Sequence, residues 1–209
     1  HSFVRDNLAL DRLLVSIVGD ISVEEGKSLL DKMFENLPKG GKQLKVGFAR
    51  IPDKGAVHVF SKAVPQSVVL FGHRGVSRED PNFYTAYVIN HILGGGSFTS
   101  RLYNSVREER GLAYSVSTHL SVRRNAPLII GQLSTSNDKV AESLRLVRSE
   151  WRKMASNGVG QETLKNAKRF INGSFALQFS SSDRIANLLT ILQYYDLSPS
   201  YLRKRRDYI

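Results

Sequence analysis

The stretch LGGGSFTSRLYNSVREERGLAYSVSTHLSV runs from Leu93 to Val122. In its last part Leu112, Tyr114, Val116, Thr118, Leu120 and Val122 alternate with Ala113, Ser115, Ser117, His119 and Ser121. A period of two is the signature of a strand with one face on a core. Upstream of it, Phe98, Leu102 and Val106 keep helical spacing, with Ser97 placed as an N-cap. Gly111 then supplies the left-handed residue that stops a helix. A glycine-rich turn, a short helix, a glycine stop and a strand therefore follow one another within this stretch.

Working outward, residues 128–135 read as the partner strand. Asn137 opens a helix carrying Val140, Leu144, Val147, Trp151 and Met154 on one stripe, closed by Asn157-Gly158. Further helices are expected over 161–179, 182–195 and 199–209. On the other side, Asp80-Pro81 starts a helix whose Tyr84, Tyr87, Val88 and Ile92 lead into Gly94. Two short strands, 56–62 and 67–72, precede it. Residues 13–18 read as a buried strand, and Ser22 with Glu25 forms a capping box for a helix that Pro38 stops. Strands grouped between helices, without strict alternation, give an α+β fold with an antiparallel sheet and helices packed on one face.

The domain organisation expected from these patterns is a strand–helix unit at 1–38, a linker rich in glycine and lysine at 39–54, and a domain at 55–209. A chain of 209 residues is long enough to bury about 70% of its extended surface. Hydrophobic residues make up 41% and charged residues 23%, so wholesale disorder is excluded. The longest apolar candidate, Leu13 to Val18, is far too short to span a bilayer and is interrupted by Ser16. With no cysteine, disulfides, thiolate nucleophiles and iron–sulfur ligation are excluded together. The sequence opens at His1, in mid-pattern and without a signal region, and reads as a piece of a longer polypeptide.

Lys and Arg outnumber Asp and Glu by 30 to 19, a net charge of +11, and Arg203-Lys204-Arg205-Arg206 concentrates some of it. Such a surface attracts anions of several kinds. The five histidines, His1, His58, His73, His91 and His119, include no pair at the one-turn spacing of a helical zinc site, so no metal ligands are assigned. No Gly-x-Ser-x-Gly elbow exists either. Gly94-Gly95-Gly96-Ser97 lacks the Lys-Ser/Thr ending of a phosphate loop and follows a helix, so it reads as a flexible loop offering backbone donors. By pattern alone Tyr114 is a core residue beside Leu112 and Val116. Arg107 alone is a solvated cation in the last turn of a helix.

The Gly94–Ser97 loop, Ser100-Arg101-Leu102, Arg110-Gly111-Leu112-Ala113-Tyr114, the strand ending Ile17-Val18-Gly19-Asp20 and Pro65-Gln66-Ser67 together closely resemble one protein family. It is the insulinase–pitrilysin zinc metallopeptidases, or inverzincins, and the likeness is to their second, metal-free half. The resemblance implies two related α+β halves closing a chamber, one of them carrying zinc on a His-x-x-Glu-His motif that is missing from this sequence. It also implies that Arg107 and Tyr114, seven residues apart, act with the loop Gly94, Gly95, Gly96 and Ser97 on the substrate peptide. A guanidinium and a phenol are donors suited to a peptide carbonyl whose oxygen gains charge under attack.

The function expected is thus the substrate-binding half of a two-part zinc metalloendopeptidase, with no cofactor in this chain and zinc in a partner half. That partner is either the same polypeptide or a separate subunit; a pairing of two copies of this chain stays open. The alternatives are a non-proteolytic core subunit of the same fold, or a basic nucleic-acid-binding module. The last is disfavoured because only Tyr201 and Tyr208 flank the basic cluster. A bacterial compartment is expected, periplasm before cytoplasm, with no membrane span. Residues 13–18 are expected to dock on an open sheet edge, because a bare hydrophobic edge invites association.

Overall fold

The computed structural model describes residues 3, 7–40, 45–52 and 54–209. His1 and residues 41–44 and 53 of the expected linker lie outside the described residues. The regular elements are α1 (Val23–Phe34), β1 (Gln66–Arg74), α2 (Phe83–Asn90), β2 (Ala113–Arg123) and β3 (Ala126–Ser136). After them come α3 (Val140–Asn157), α4 (Gln161–Ser174), α5 (Ser182–Tyr194) and α6 (Ser200–Tyr208). The three strands form one antiparallel sheet in the order β1-β3-β2, so the fold is α+β.

By its contacts the chain divides into two compact units, His1–Val46 with Asn172–Tyr208, and Gly47–Ile171 with Ile209. In the second unit the inward-facing residues of the sheet meet helix stripes. Val116 and Leu133, cross-strand partners on β2 and β3, are buried with Val88, Ile92 and Leu93 from the end of α2. Leu102, Val106, Val147 and Met154 complete the centre of that core. On the opposite face of the sheet Val68 and Leu70 stand about three-quarters exposed, so the helices cover one face. Phe71 of β1 pairs across from Gly131, and its ring lies directly over the site where a Cβ would be. The same ring meets Trp151 of α3 edge-on at 6.0 Å. Gly131 is therefore glycine because an aromatic side chain uses its space.

In the first unit the capping box forms as expected: the Glu25 backbone N–H donates to Ser22 Oγ, and the Ser22 N–H donates to the Glu25 carboxylate. The Ser22 hydroxyl also donates to the Glu25 carboxylate at 2.7 Å, and this bond, with that from the Ser22 N–H, holds the carboxyl below its ordinary pKa. Residues 13–18 form no strand ladder. Instead Gln193 Nε2 of α5 donates to the Val15 carbonyl and to Ser16 Oγ, and Thr190 Oγ1 to Ser16 Oγ. A strand needs a second strand, and among the described residues of this unit a helix takes that place. The expected docking of 13–18 on a sheet edge is not seen here.

Other expectations are corrected as well. Residues 56–62 are not a strand: they carry no ladder, and Val57, Val59 and Phe60 lie exposed. An apolar, β-branched run makes a strand only where an edge pairs with it. Ser97 does not cap the following helix. A 3-10 turn, Ser97–Thr99, intervenes, and buried Ser100 sits at the helix start, its Oγ accepting from the Tyr103 N–H. Asn137 opens a 3-10 turn before α3, yet its side chain faces elsewhere, donating to the Val64 carbonyl and accepting from Ser67 Oγ. The helix expected over 161–179 breaks at Ser174 into a 3-10 turn, Phe175–Phe179.

Replacing Gly131 by alanine forces the Phe71 ring off its seat and away from Trp151. Overpacking of this kind costs about 1–3 kcal/mol. Thermal unfolding of Gly131→Ala is expected to shift down by roughly 2–4 °C per kcal/mol for a chain of this size. Phe71→Leu in the Gly131→Ala background should recover part of that loss; no recovery would show that the ring is not the obstacle.

Candidate functional site

Between α2 and β2 the backbone is wound more loosely than an α-helix, as two π-helical segments, His91–Gly95 and Tyr103–Glu108. Both pack on β2. Wide turns of this kind recur at functional sites. The first contains the glycines. A Cβ on Gly94 would lie 2.6 Å from Thr118 Oγ1 and 2.9 Å from the Thr118 backbone nitrogen. One on Gly96 would lie 2.8 Å from the His91 carbonyl oxygen. Gly94 is buried, whereas Gly95 and Ser97 are exposed. The run of glycines is thus explained first by close approach to β2 and to the preceding turn, and only its outer part reaches solvent. Ser97 adopts φ +49°, the left-handed region that a β-carbon disfavours.

Arg107 lies in the second π-helical segment. Gly111, at φ +57°, ends that segment, and its N–H donates to the Arg107 carbonyl at 2.9 Å. The partner of the Arg107 side chain is Tyr103. Arg107 Nη1 donates to the Tyr103 hydroxyl at 2.8 Å, and the guanidinium lies 4.9 Å from the centre of that ring. Phe98 packs edge-on against Tyr103 at 5.1 Å. Desolvation, reinforced by its hydrogen bond to Glu108 and opposed by the charge of Arg107, raises the Tyr103 pKa above the usual phenol value. Tyr103 and Phe98 are the members of this cluster that sequence reasoning missed. The signal was present in the spacing of four between Tyr103 and Arg107, which puts the two on one helix face.

Tyr114 is where the strand pattern misleads. Ala113 pairs with Thr135, but Ser115 pairs with Ser134, so Tyr114 is the extra residue of a β-bulge. Ala113 and Val116 are buried while Tyr114 is 64% exposed. The core-packing expectation for Tyr114 is overturned: the bulge turns its side chain out of the alternation. Thr135, fully buried, fixes the position of this break by donating its hydroxyl to the Leu112 carbonyl. The structure therefore sets both Arg107 and Tyr114 at the surface, on either side of one glycine turn, with the glycine-rich segment packed on the same strand. Among the described residues no group of three His, Asp or Glu is placed to hold a metal ion. No helix among them is long and apolar enough to cross a membrane.

A one-faced α+β sheet thus carries a glycine-rich turn, an arginine turn and a bulged tyrosine. The chain belongs to the family described as the peptidase M16 inactive domain, whose model matches residues 1–171. A Helicobacter pylori protein described as non-peptidase homolog YmxG is 29% identical over 170 residues, covering 81% of this chain and 39% of that protein. The Bacillus subtilis protein described as uncharacterized zinc protease YmxG is 25% identical over 183 residues, 88% of this chain and 44% of its own length. The crystal structure of a peptidase M16 inactive domain from Pseudomonas fluorescens superposes with a TM-score of 0.77 at 29% identity, over 91% of this chain and 45% of that one. The chain spans less than half the length of these relatives.

His91, at the root of the glycine turn, is stacked on Phe170 at 5.2 Å, and burial lowers its pKa below the ordinary histidine value. Above about pH 6.5 the imidazole is neutral in both the folded and the unfolded chain. Below that, the unfolded chain takes up a proton that the folded one resists, so stability falls with acidification and levels off below the folded pKa. The melting temperature is expected to drop between neutral and mildly acid pH, and His91→Gln to drop less over the same interval. An identical slope in the variant would remove His91 as a source of the effect.

Proposed function

We propose that this chain is the substrate-binding, non-zinc half of a two-part zinc metalloendopeptidase, working on peptides together with a metal-bearing partner half. The observation that carries this reading is the β-bulge, which sets Tyr114 at the surface between buried Ala113 and buried Val116. Bulges of this kind re-aim side chains beside active sites. In this role the Tyr114 hydroxyl and the Arg107 guanidinium donate to carbonyls of the bound peptide, and the fixed dipoles gain strength as charge builds on the oxygen. Tyr103 orients Arg107, which keeps the planar fork from rotating away. The outer glycine turn, Gly95 to Ser97, lies beside the peptide backbone, with buried Gly94 setting its position. Zinc belongs to the partner half and supplies the activation of water there. Residues 1–38 are then the closing strand–helix unit of that upstream half, 39–54 the linker, and 55–209 the substrate-binding domain.

A second reading, a core subunit without proteolysis, is favoured by one observation: the H. pylori relative is described as a non-peptidase homolog. Arg107 and Tyr114 distinguish the two readings, because a scaffold has no use for an exposed donor pair.

The test is peptide hydrolysis by the metal-bearing half supplemented with this chain. Tyr114→Phe is expected to lose about 2.7–4 kcal/mol of transition-state stabilisation, roughly a hundred- to a thousandfold in turnover, with an unchanged melting temperature. Arg107→Lys should fall by a similar factor if the forked geometry is needed, and little if charge suffices. Tyr114→Phe with full turnover would eliminate the catalytic role. The purified chain alone is expected to hold no stoichiometric zinc and to cleave no peptide, as metal analysis and the same assay would show.

A further inference from the structure

The basic segment Arg203-Lys204-Arg205-Arg206 takes no part in the site described above, and it lies wholly in the first unit. Within that unit Leu202, Arg203, Arg205 and Arg206 of α6 line a cleft of about 480 Å³ together with Asn172, Phe175, Ala176 and Phe179. No acidic side chain lines it. The Arg205 guanidinium lies 4.2 Å over the Phe175 ring, and Phe175 meets Phe179 edge-on at 5.6 Å. Among the described residues no carboxylate forms an ion pair with any of the four basic side chains.

Three guanidinium groups on one cleft without a counter-charge repel one another, and an anion seated between them relieves that repulsion. A guanidinium stacked on a ring keeps its N–H edge directed sideways, the geometry for bidentate binding of a carboxylate. Between the arginines the lining is apolar: Phe175, Ala176, Phe179 and Leu202. Asn172 adds an amide able to pair with a peptide backbone. We infer that this cleft binds an acidic peptide segment in which a bulky apolar side chain is flanked by carboxylates.

A nucleic acid is the other polyanion that a basic, aromatic-lined cleft suggests. Single-stranded recognition depends on aromatic faces open to bases. Here the face of Phe175 nearest the arginines is already covered by Arg205, and Tyr201 and Tyr208 stack on each other at 6.3 Å with 21° between their planes. Those rings are engaged with the protein, whereas the apolar floor suits a peptide anchor.

The inference rests on none of the residues given a role in cleavage, so its test needs no partner half. Fluorescence anisotropy on the purified chain would use a labelled peptide with glutamates around one Phe, the same peptide with glutamines, and a labelled single-stranded oligonucleotide. The acidic peptide is expected to bind at least about tenfold more tightly than its glutamine counterpart, the scale of losing charge-assisted hydrogen bonds. Arg205→Gln with Arg206→Gln should weaken it by a similar factor, and raising the salt should weaken it further. Phe179→Ala should reduce affinity for the acidic peptide while leaving the salt dependence in place. Melting temperature verifies folding, and Arg203→Gln, at an exposed position, replaces the double variant should that one unfold. Equal binding of the two peptides, tighter binding of the oligonucleotide, or wild-type affinity in the folded arginine variants would overturn the inference.

Discussion

The hydrogen bond from the buried Thr135 hydroxyl to the Leu112 carbonyl is the constraint on which the site depends. It lies where β2 begins, and it ties the backbone just before Ala113 to the central strand β3. With Leu112 held and Ser115 paired to Ser134, one residue is left over, and it is Tyr114. Without the bulge the tyrosine would stay in phase with buried Val116. The same hydrogen bond satisfies a carbonyl in a stretch where Leu112 and Ala113 are both buried, and an unpaired carbonyl there would cost about 1–3 kcal/mol.

From that fixed strand the remainder of the site follows by packing. Thr118, further along β2, is buried beneath the glycine turn, and the absence of a side chain at Gly94 is what lets the turn approach it. Asn90, at the end of α2 and also buried, reaches the Thr118 carbonyl with its amide. The turn is therefore held from below by β2 and from behind by α2. Gly111 closes the arrangement on the other side by reversing the chain into the strand at a positive φ. A rigid support of this kind suits a surface that must present donors to a peptide without reorganising, because reorganisation is what a preorganised site avoids.

The first unit shows the complementary case, where sequence elements find substitutes for their expected partners. Residues 13–18 have the apolar pattern of a buried strand, yet they form no ladder. What they meet in this chain is the polar side of α5, through Thr190 and Gln193. Side-chain amides and hydroxyls can satisfy a few backbone groups of an extended segment, but they cannot supply a ladder. In the same unit, α6 brings Arg205 onto the ring of Phe175, so a basic tail with no evident partner in the sequence becomes one wall of a cleft.

Much of the fold was legible in the residues themselves. The capping box of Ser22 and Glu25, the left-handed stop at Gly111, the stripe of α3 and the hairpin of β2 and β3 are local matters, decided by hydrogen-bonding options and periodicity within a few residues. The family, too, was legible, because its loop and turn motifs are contiguous, and Arg107 and Tyr114 were named from them. What sequence could not decide was everything set by distant neighbours. Residues 56–62 carry the valines and phenylalanine of a short strand, yet no edge pairs with them. Tyr114 sits in phase with Leu112 and Val116, yet a threonine on another strand shifts that phase by one residue. Gly94 and Gly131 look like flexibility in the sequence, and only the approach of Thr118 and Phe71 shows that they are space. Local patterns determine which conformation a segment prefers; which face it shows, and whether it is paired, depends on contacts between residues far apart in the chain, and only the folded structure contains those.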